Sequence, residues 1–271
     1  MIDLDGYFRR IGYSGSLAPD RATLDALHRL HPQAIAFENL DPLLGVPVRL
    51  DAAALEHKLV RSGRGGYCYE HNLLFMHVLK ALGFSVRGLG ARVIWRAAEG
   101  VITARAHMLL CVDIAGTRHI ADVGFGGTTP TAPISLDREG EQPTAHEPFR
   151  LMRAGGDFVL QARIGEAWQS LYRFDLQEQI EADYEIVNWY QSTSPNSYFI
   201  SNLMAARPVP GARYALRNSE LSVHHLNGPS ERRVLRSAAE LRDILSGTFG
   251  LTLAGVAGLD ALLTRLTTVA A

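Results

Sequence analysis

Residues 64–72 have the sequence RGGYCYEHN, in which two glycines precede Cys68. The apolar residues that follow recur at helical spacing, at Leu73, Met76, Leu79 and Leu82. Gly83 comes next and suits a left-handed helix cap, so the pattern predicts a buried helix that begins at Cys68. Because the unpaired amides of a helix N-terminus favour a thiolate over a thiol, Cys68 is the candidate nucleophile.

The overall composition is that of a globular protein. The chain has 271 residues, 47% of them hydrophobic, which is enough to bury a substantial core in one large domain or in two to three small ones. Its formal net charge is -1 and its isoelectric point is about 6.8. A global basic field that would attract phosphate backbones is absent, so nucleic acid is not an expected partner.

The cysteine count and the first residues favour a cytoplasmic location. Two cysteines, Cys68 and Cys111, exclude a multi-disulfide scaffold and an all-cysteine zinc site, although a single bridge stays open. Residues 1–5 are acidic where a signal peptide would be basic. No apolar stretch reaches the eighteen or so residues that a transmembrane helix needs, so no membrane partner is expected.

The secondary-structure pattern changes twice along the chain. Apolar residues recur at helical spacing from Leu4 to Ile11, from Leu24 to Leu30 and from Leu55 to Leu59. Strand-like segments then predict an antiparallel sheet or barrel; they are residues 91–95, 107–114, 119–123, 158–162 and 168–173. The final portion mixes strands at 214–217 and 221–226 with helices from Ser237 and from Leu259. The fold class is therefore α+β.

A thiol nucleophile needs a base and a group that orients the base, and His107 and Asp122 are the candidates. A hairpin turn at Ala115 and Gly116 would pair residues whose numbers sum to about 231, which places His107 diagonal to Asp122. Together the three side chains would form a thiolate–imidazolium pair for acyl transfer. His71, three residues after Cys68 on the same helix face, is a rival base.

The segment from Arg64 to Glu70 resembles the active-site signature of the arylamine N-acetyltransferases. Residues 36–40, with the sequence AFENL, resemble the Phe-Glu-Asn segment of that family. His107 and residues 122–126, DVGFG, match its histidine and aspartate motifs. The resemblance covers most of the chain.

The resemblance implies a helical bundle at residues 1–84, a β-barrel at 85–195 and an α/β lid at 196–271, with a core like that of cysteine proteases and transglutaminases. It implies Cys68 as nucleophile, His107 as base and Asp122 as orienting group. The family reaction takes acetyl from acetyl-CoA onto the cysteine. An aromatic amine, hydroxylamine or hydrazine then attacks the thioester, an activity of xenobiotic metabolism.

The same resemblance implies which residues meet the substrates. Phe37, Tyr69 and Phe125 would line the acceptor pocket. It also implies Trp95 and Phe199 at CoA. From its own residues, the glycine-rich turn with Gly126, Gly127 and Thr128 could let backbone amides approach the CoA phosphates. For the glycine-rich turn a structural role is an equal interpretation, and for the aromatic residues plain core packing stays open.

Several interpretations stay open at this point. A cysteine hydrolase or a transglutaminase-like enzyme would use the same triad, as would an enzyme that closes amides in natural products. A non-catalytic binding module is a further alternative, and the oligomeric state is open, a homodimer included. Arg64 and Glu38 are expected to form an ion pair beneath the site. No metal site is expected, because adjacent His224 and His225 would point to opposite faces of a strand.

Overall fold

A computed structural model describes residues 2–98 and 100–268. Within those ranges there are eight α-helices: α1 (Leu4–Ile11), α2 (Arg21–Ala34), α3 (Leu40–Leu43), α4 (Ala52–Leu55), α5 (Cys68–Ala81), α6 (Glu181–Thr193), α7 (Ala238–Asp243) and α8 (Leu259–Thr268). The helix expected from Cys68 is confirmed, and Gly83 after it is left-handed with φ 87°. None of the helices in the described part of the chain has the length and hydropathy needed to cross a bilayer.

Twelve strands form two antiparallel sheets in the described residues. The first six are β1 (Phe37–Glu38), β2 (Ser85–Val93), β3 (Arg105–Ile114), β4 (Thr117–Ala121), β5 (Ile134–Ser135) and β6 (Phe149–Ala154). The others are β7 (Asp157–Ile164), β8 (Ala167–Gln179), β9 (Met204–Val209), β10 (Ala212–Arg217), β11 (Glu220–His225) and β12 (Glu231–Val234). The α+β class with antiparallel sheets is thus confirmed.

The seven-stranded sheet, in the order β5-β4-β3-β2-β8-β7-β6, curls into a nearly closed barrel. Gln142 closes the gap between its edges. The main chain of Gln142 exchanges two hydrogen bonds with Phe149 on β6, while its side chain bonds the N–H and the carbonyl of Ser135 on β5. Edge groups that would otherwise be unpaired are satisfied in this way, so the main chain and the side chain of one residue together bridge the two edges of the barrel.

The hairpin of β3 and β4 has the register expected from the sequence. Leu110 pairs with Ala121 and Ile114 with Thr117, so that the paired numbers sum to 231. The two turn residues, Ala115 and Gly116, both have positive φ, as a two-residue hairpin turn requires. One difference is that β4 ends at Ala121, two residues earlier than predicted. The backbone N–H of Asp122, the next residue, donates to the side chain of His28 instead of to a neighbouring strand.

The five-stranded sheet, β1-β9-β10-β11-β12, recruits its first strand from the N-terminal part of the chain. Phe37 pairs with Ala206, and the N–H of Glu38 donates to the carbonyl of Gly66 at 2.8 Å. Strand β1 therefore joins this sheet directly to the segment before Cys68. The division of the chain at residues 84/85 and 195/196 stays a prediction, and residues 1, 99 and 269–271 lie outside the described ranges.

Candidate active site

Cys68 is the first residue of α5 and only 4% of it is exposed. Two glycines permit the close packing around it. A Cβ atom on Gly65 would lie 2.0 Å from the carbonyl oxygen of Ala36, and a Cβ on Gly124 would lie 2.9 Å from the Cα of Cys68. Both positions therefore need glycine, because the main chain of another segment lies where a Cβ atom would be.

His107 and Asp122 meet as the hairpin argument predicted. His107 Nε2 donates to Asp122 Oδ2 at 2.7 Å, and both side chains are almost completely buried. This hydrogen bond leaves Nδ1 of the imidazole for another partner. The Cys68 side chain is near enough to contribute to the protonation equilibrium of His107.

The buried pair is charged at neutral pH. Burial disfavours the imidazolium, but the Asp122 carboxylate and the contact with Cys68 outweigh burial and raise the pKa of His107 to about 10. Burial also opposes ionisation of Asp122, yet the His107 imidazolium and hydrogen bonds from Gly124 and Asn72 hold its pKa below the usual value. A cationic imidazole next to a cysteine is the kind of setting in which reactive thiols of proteins are found.

Two residues that the sequence analysis did not assign hold Asp122 in place. Asn72 lies one helical turn after Cys68 and donates from Nδ2 to Asp122 Oδ1 at 3.1 Å and to the Met108 carbonyl at 2.8 Å. His28 on α2 accepts the backbone N–H of Asp122. The position of Asn72, four residues after the nucleophile on the same helix face, is the one signal in the sequence that pointed to it.

A cluster of buried charges lies next to the N-terminus of α5. The expected pair of Arg64 and Glu38 is present, with Nη2 and Oε1 2.7 Å apart. Asp41 bonds both Arg64 and Lys58, and Lys58 Nζ lies 2.6 Å from Glu70 Oε1. The second oxygen of Glu70 accepts the N–H of residue 67, the helix cap. The cluster therefore ties β1 and α3 to the start of α5.

Glu70 and Lys58 respond to this burial in different ways. Burial raises the pKa of Glu70 to about 7, although Lys58 opposes the rise. For Lys58, burial favours the neutral amine, but three carboxylates outweigh it and raise the pKa above the usual value. The ammonium is thus firmly charged. Its removal would leave buried carboxylates without a compensating positive charge.

A cavity of about 490 Å³ opens in front of Cys68 and His107. Most of the residues predicted to meet substrates lie in its lining, namely Phe37, Trp95, Phe125, Gly127, Thr128 and Phe199. Strands β9 to β11 and helix α6 supply a wall that the sequence analysis did not assign, including Gln191, Met204, Ala206 and Arg217. No local pattern marks these residues, because their partners in the cavity are distant along the chain.

Three predicted site residues lie elsewhere than in the cavity lining. Tyr69 is 1% exposed and packs between Tyr67 and Tyr184, because the residue after Cys68 points to a different side of the helix. Gly126 is buried against the ring of Phe37. Asp122 bonds Nε2 of His107, and it is His107 that lines the cavity.

The rival base His71 has other partners. Its Nδ1 is 3.0 Å from Nε2 of His31, and its Nε2 is 3.2 Å from the carbonyl of Ala36. Tyr7 completes this buried chain, since its hydroxyl is 2.8 Å from His31 Nδ1. Burial lowers the pKa of His71 to about 4, so His71 is neutral and serves the packing of α2, α5 and β1.

The remaining cysteine and histidines do not form a metal site. Cys111 is a free, buried residue in the barrel core. His224 and His225 have separate partners, Ser230 and Glu231. In residues 2–98 and 100–268, no group of three or more histidine, cysteine, aspartate or glutamate side chains is arranged to hold a metal ion.

Comparisons with known proteins give one consistent result. The sequence profile of a family described as N-acetyltransferase matches residues 20–257. The chain is 46% identical over 263 residues to an arylamine N-acetyltransferase of Mycolicibacterium smegmatis, which covers 96% of this chain and 95% of the relative. It is 43% identical over 250 residues to the Escherichia coli arylamine N-acetyltransferase, with 92% and 88% covered.

Solved structures agree with the sequence relatives. Mycobacterium marinum arylamine N-acetyltransferase in complex with CoA superposes with a TM-score of 0.93 at 43% identity, over 97% of this chain and 99% of that one. The Salmonella typhimurium arylamine N-acetyltransferase gives a TM-score of 0.92 at 37% identity, over 99% and 100%.

Proposed function

Because the chain belongs to the arylamine N-acetyltransferase family, we propose that its Cys68, His107 and Asp122 carry out acetyl transfer from acetyl-CoA to aromatic amines, hydrazines and hydroxylamines. The observation that supports this assignment most directly is the buried hydrogen bond of 2.7 Å between His107 and Asp122, next to a cysteine that lines a mostly apolar cavity.

In the first half-reaction the thiolate of Cys68 attacks the carbonyl carbon of acetyl-CoA and forms a new carbon–sulfur bond. The tetrahedral oxyanion then collapses and expels the CoA thiolate, which takes the proton from the imidazolium of His107. Asp122 holds the ring in the tautomer that this transfer needs. The products are acetyl-Cys68, free CoA and a neutral imidazole.

In the second half-reaction the nitrogen of the acceptor attacks the acetyl carbon. Neutral His107 takes the proton that the nitrogen loses, and Cys68 leaves as a thiolate, so the starting state is restored. The thiolate is a good leaving group, which suits a transfer that nearly balances in free energy at the first step.

Backbone amides at the start of α5 are suited to the oxyanion. The first hydrogen bond of the helix ladder near this end runs from His71 N to Tyr67 O at 3.1 Å. The amides of Cys68 and Tyr69 precede it and have no partner four residues earlier in the ladder. They are our candidate oxyanion donors.

The cavity lining supports the binding assignments. Phe37 and Phe125 present aromatic faces for a ring of the acceptor, and Trp95 and Phe199 are candidates for contact with CoA. The peptide groups of Gly127 and Thr128 can approach a CoA phosphate. Gly126 takes part through the shape of the same turn.

We propose in addition a range of substrates and a cellular location for this reaction. A cavity lined largely by apolar and aromatic side chains suits varied aromatic amines, as xenobiotic metabolism requires. The chemistry needs a free thiol, which is kept in a reducing compartment, and we therefore propose a cytoplasmic location.

Intact-mass measurement tests this function. The protein is mixed with acetyl-CoA alone, and an aromatic hydrazine is added afterwards. We expect an increment of about 42 Da, from replacement of the thiol proton by acetyl, that the hydrazine discharges as its acetylated product. Cys68→Ser is the matched control, and Cys111→Ser should behave as the parent protein does.

The alternatives give different results. A hydrolase would lose the adduct to water at the same rate with or without the hydrazine. No adduct in the parent protein, or an adduct that persists in Cys68→Ser, would overturn the assignment.

A further inference from the structure

Gln191 occupies an unusual place in the cavity wall. It lies in the last turn of α6, is 8% exposed and lines the same cavity as Cys68 and His107. Its Nε2 donates to the carbonyl of Ala106 at 2.8 Å, and Ala106 directly precedes His107 on β3. The carboxamide is therefore fixed at one end beside the catalytic strand.

The other end of this carboxamide is unsatisfied. Oε1 of Gln191 has no hydrogen-bond partner among the described residues and is shielded from solvent. A buried acceptor without a donor loses its hydrogen bonds to water without compensation, so native proteins rarely keep one without a reason. The terminal torsion of a glutamine side chain is broad, so a modest rotation can bring the oxygen to the cavity while Nε2 keeps its bond to the Ala106 carbonyl.

The composition of the cavity wall increases the effect that the Gln191 oxygen can have on substrate binding. The lining of the cavity is mostly apolar and includes Val93, Trp95, Phe125 and Phe199, although Arg217 and Glu220 also belong to it. In such surroundings one hydrogen-bond acceptor discriminates strongly between substrates that bring a donor and substrates that do not.

We propose that Gln191 is a specificity-determining residue, whose side-chain oxygen accepts a hydrogen bond from a substrate N–H during acetyl transfer. Two substrates carry such a group. One is the pantetheine arm of acetyl-CoA, through its amide N–H; the other is an acceptor with a second N–H beside the reacting nitrogen, as in a hydrazine or hydrazide. This inference rests on the proposed function.

The two-step mechanism separates these sources. In a reaction that passes through acetyl-Cys68, kcat/KM for acetyl-CoA reports the first half-reaction alone, and kcat/KM for the acceptor reports the second alone. Gln191→Leu removes the acceptor oxygen and keeps a similar volume, whereas Gln191→Ala also opens space. Thr193→Ala is the matched control, since Thr193 is exposed on the same helix and lies outside the cavity lining.

We expect Gln191→Leu to lower one of the two kcat/KM values by roughly three- to tenfold, in keeping with the loss of one hydrogen bond, and to leave the other within twofold. A fall for acetyl-CoA assigns the contact to the pantetheine amide. A fall for an arylhydrazine, but not for the arylamine of the same ring, assigns it to the acceptor.

A purely structural role predicts something else. If Gln191 only clamps α6 to β3, Gln191→Leu lowers the melting temperature and changes both half-reactions together or neither, which would overturn the proposal. Absence of acetyl transfer in the parent protein would instead overturn the proposed function, so the two failures are distinguishable.

Discussion

Nε2 of His28 accepts the backbone N–H of Asp122 at 3.0 Å, so α2 holds the main chain of the residue whose carboxylate bonds the imidazole of His107. An acceptor nitrogen carries no proton, and the proton of His28 must therefore be on Nδ1. That atom has no hydrogen-bond partner among the described residues. Burial lowers the pKa of His28 to about 3, which keeps the ring neutral and its Nε2 lone pair available.

This contact predicts a difference between two substitutions of His28. In His28→Leu the Asp122 N–H is left buried without an acceptor, which should cost about 1–3 kcal/mol in the free energy of unfolding and lower kcat/KM. His28→Gln supplies an oxygen near the position of Nε2 and should recover most of both quantities. Urea denaturation and steady-state kinetics measure them; equal losses in the two variants would contradict the role of the hydrogen bond.

Asp122→Asn tests the charge that Asp122 provides. Without the carboxylate, the pKa of His107 should fall from about 10 and the wrong tautomer of the ring is favoured. We expect kcat/KM to drop by about 10²–10⁴ and alkylation of Cys68 to slow between pH 6 and pH 7, with His107→Ala giving the same slowing. Asp137→Asn, at an exposed carboxylate paired with Arg118, is the control. Unchanged alkylation would remove the pair from the mechanism.

Lys58→Met tests the buried charge cluster. It leaves Glu70 and Asp41 without their shared ammonium, and we expect a loss of about 3–5 kcal/mol in the free energy of unfolding. Asp25→Ala breaks a half-exposed pair with Arg21 and should cost less than about 1 kcal/mol. Chemical denaturation compares the two. Similar small losses would show that the cluster contributes little to stability.

Gly124→Ala tests the close approach of the loop after Asp122 to α5. The added Cβ would lie 2.9 Å from the Cα of Cys68 and 3.0 Å from the Cβ of His71, so the loop must shift and carry Asp122 with it. A fall of at least about tenfold in kcat/KM is expected, since small displacements of catalytic groups are costly. Gly156→Ala, where the new atom meets nothing within 4 Å, should retain full activity.

The buried histidines predict how stability depends on pH. Burial lowers the pKa of His28, His31 and His71, so the unfolded chain binds more protons than the native chain once pH falls below about 6.5. Their contribution is present above that pH and is lost as pH decreases, by up to about 1.4 kcal/mol per pH unit for each group. Glu70, with its pKa raised to about 7, works in the opposite direction.

The combined effect of the three histidines is larger than the opposite effect of Glu70. We therefore expect the free energy of unfolding to fall as the pH is lowered from 6.5 to 5. Urea denaturation across this range measures the slope, and His28→Gln should make it shallower. A stability that rises on acidification would show that one or more of the histidines is charged in the native protein.

Local patterns in the sequence predicted much of the candidate site. A two-residue turn fixes the register of the β3–β4 hairpin, and side chains alternate along a strand, so the meeting of His107 and Asp122 followed from counting residues. The end of β4 did not follow, because Asp122 N bonds His28, which lies 94 residues away. Helix α6 was also missed, since exposed Trp189 interrupts the apolar and polar pattern expected of a surface helix.

Pairings between distant segments carried no local signal. The partner of Phe37 is Ala206, and nothing near either residue marks the other. The wall from β9 to β11 and the unsatisfied oxygen of Gln191 belong to the same class of features, since both exist only once separate parts of the chain have packed.

The recruitment of β1 into the sheet of β9 has a consequence for synthesis on the ribosome. Cys68, His107 and Asp122 emerge well before Met204, the first residue of β9, and domains generally fold as they emerge from the N-terminal side. The proposed nucleophile and base are thus made before the strands β9 to β11 that complete the wall of the cavity. Until β9 arrives, β1 has an open edge and Cys68 lacks the wall of the cavity, so the interval of translation between residues 122 and 204 is when this thiol is most open to chemical modification.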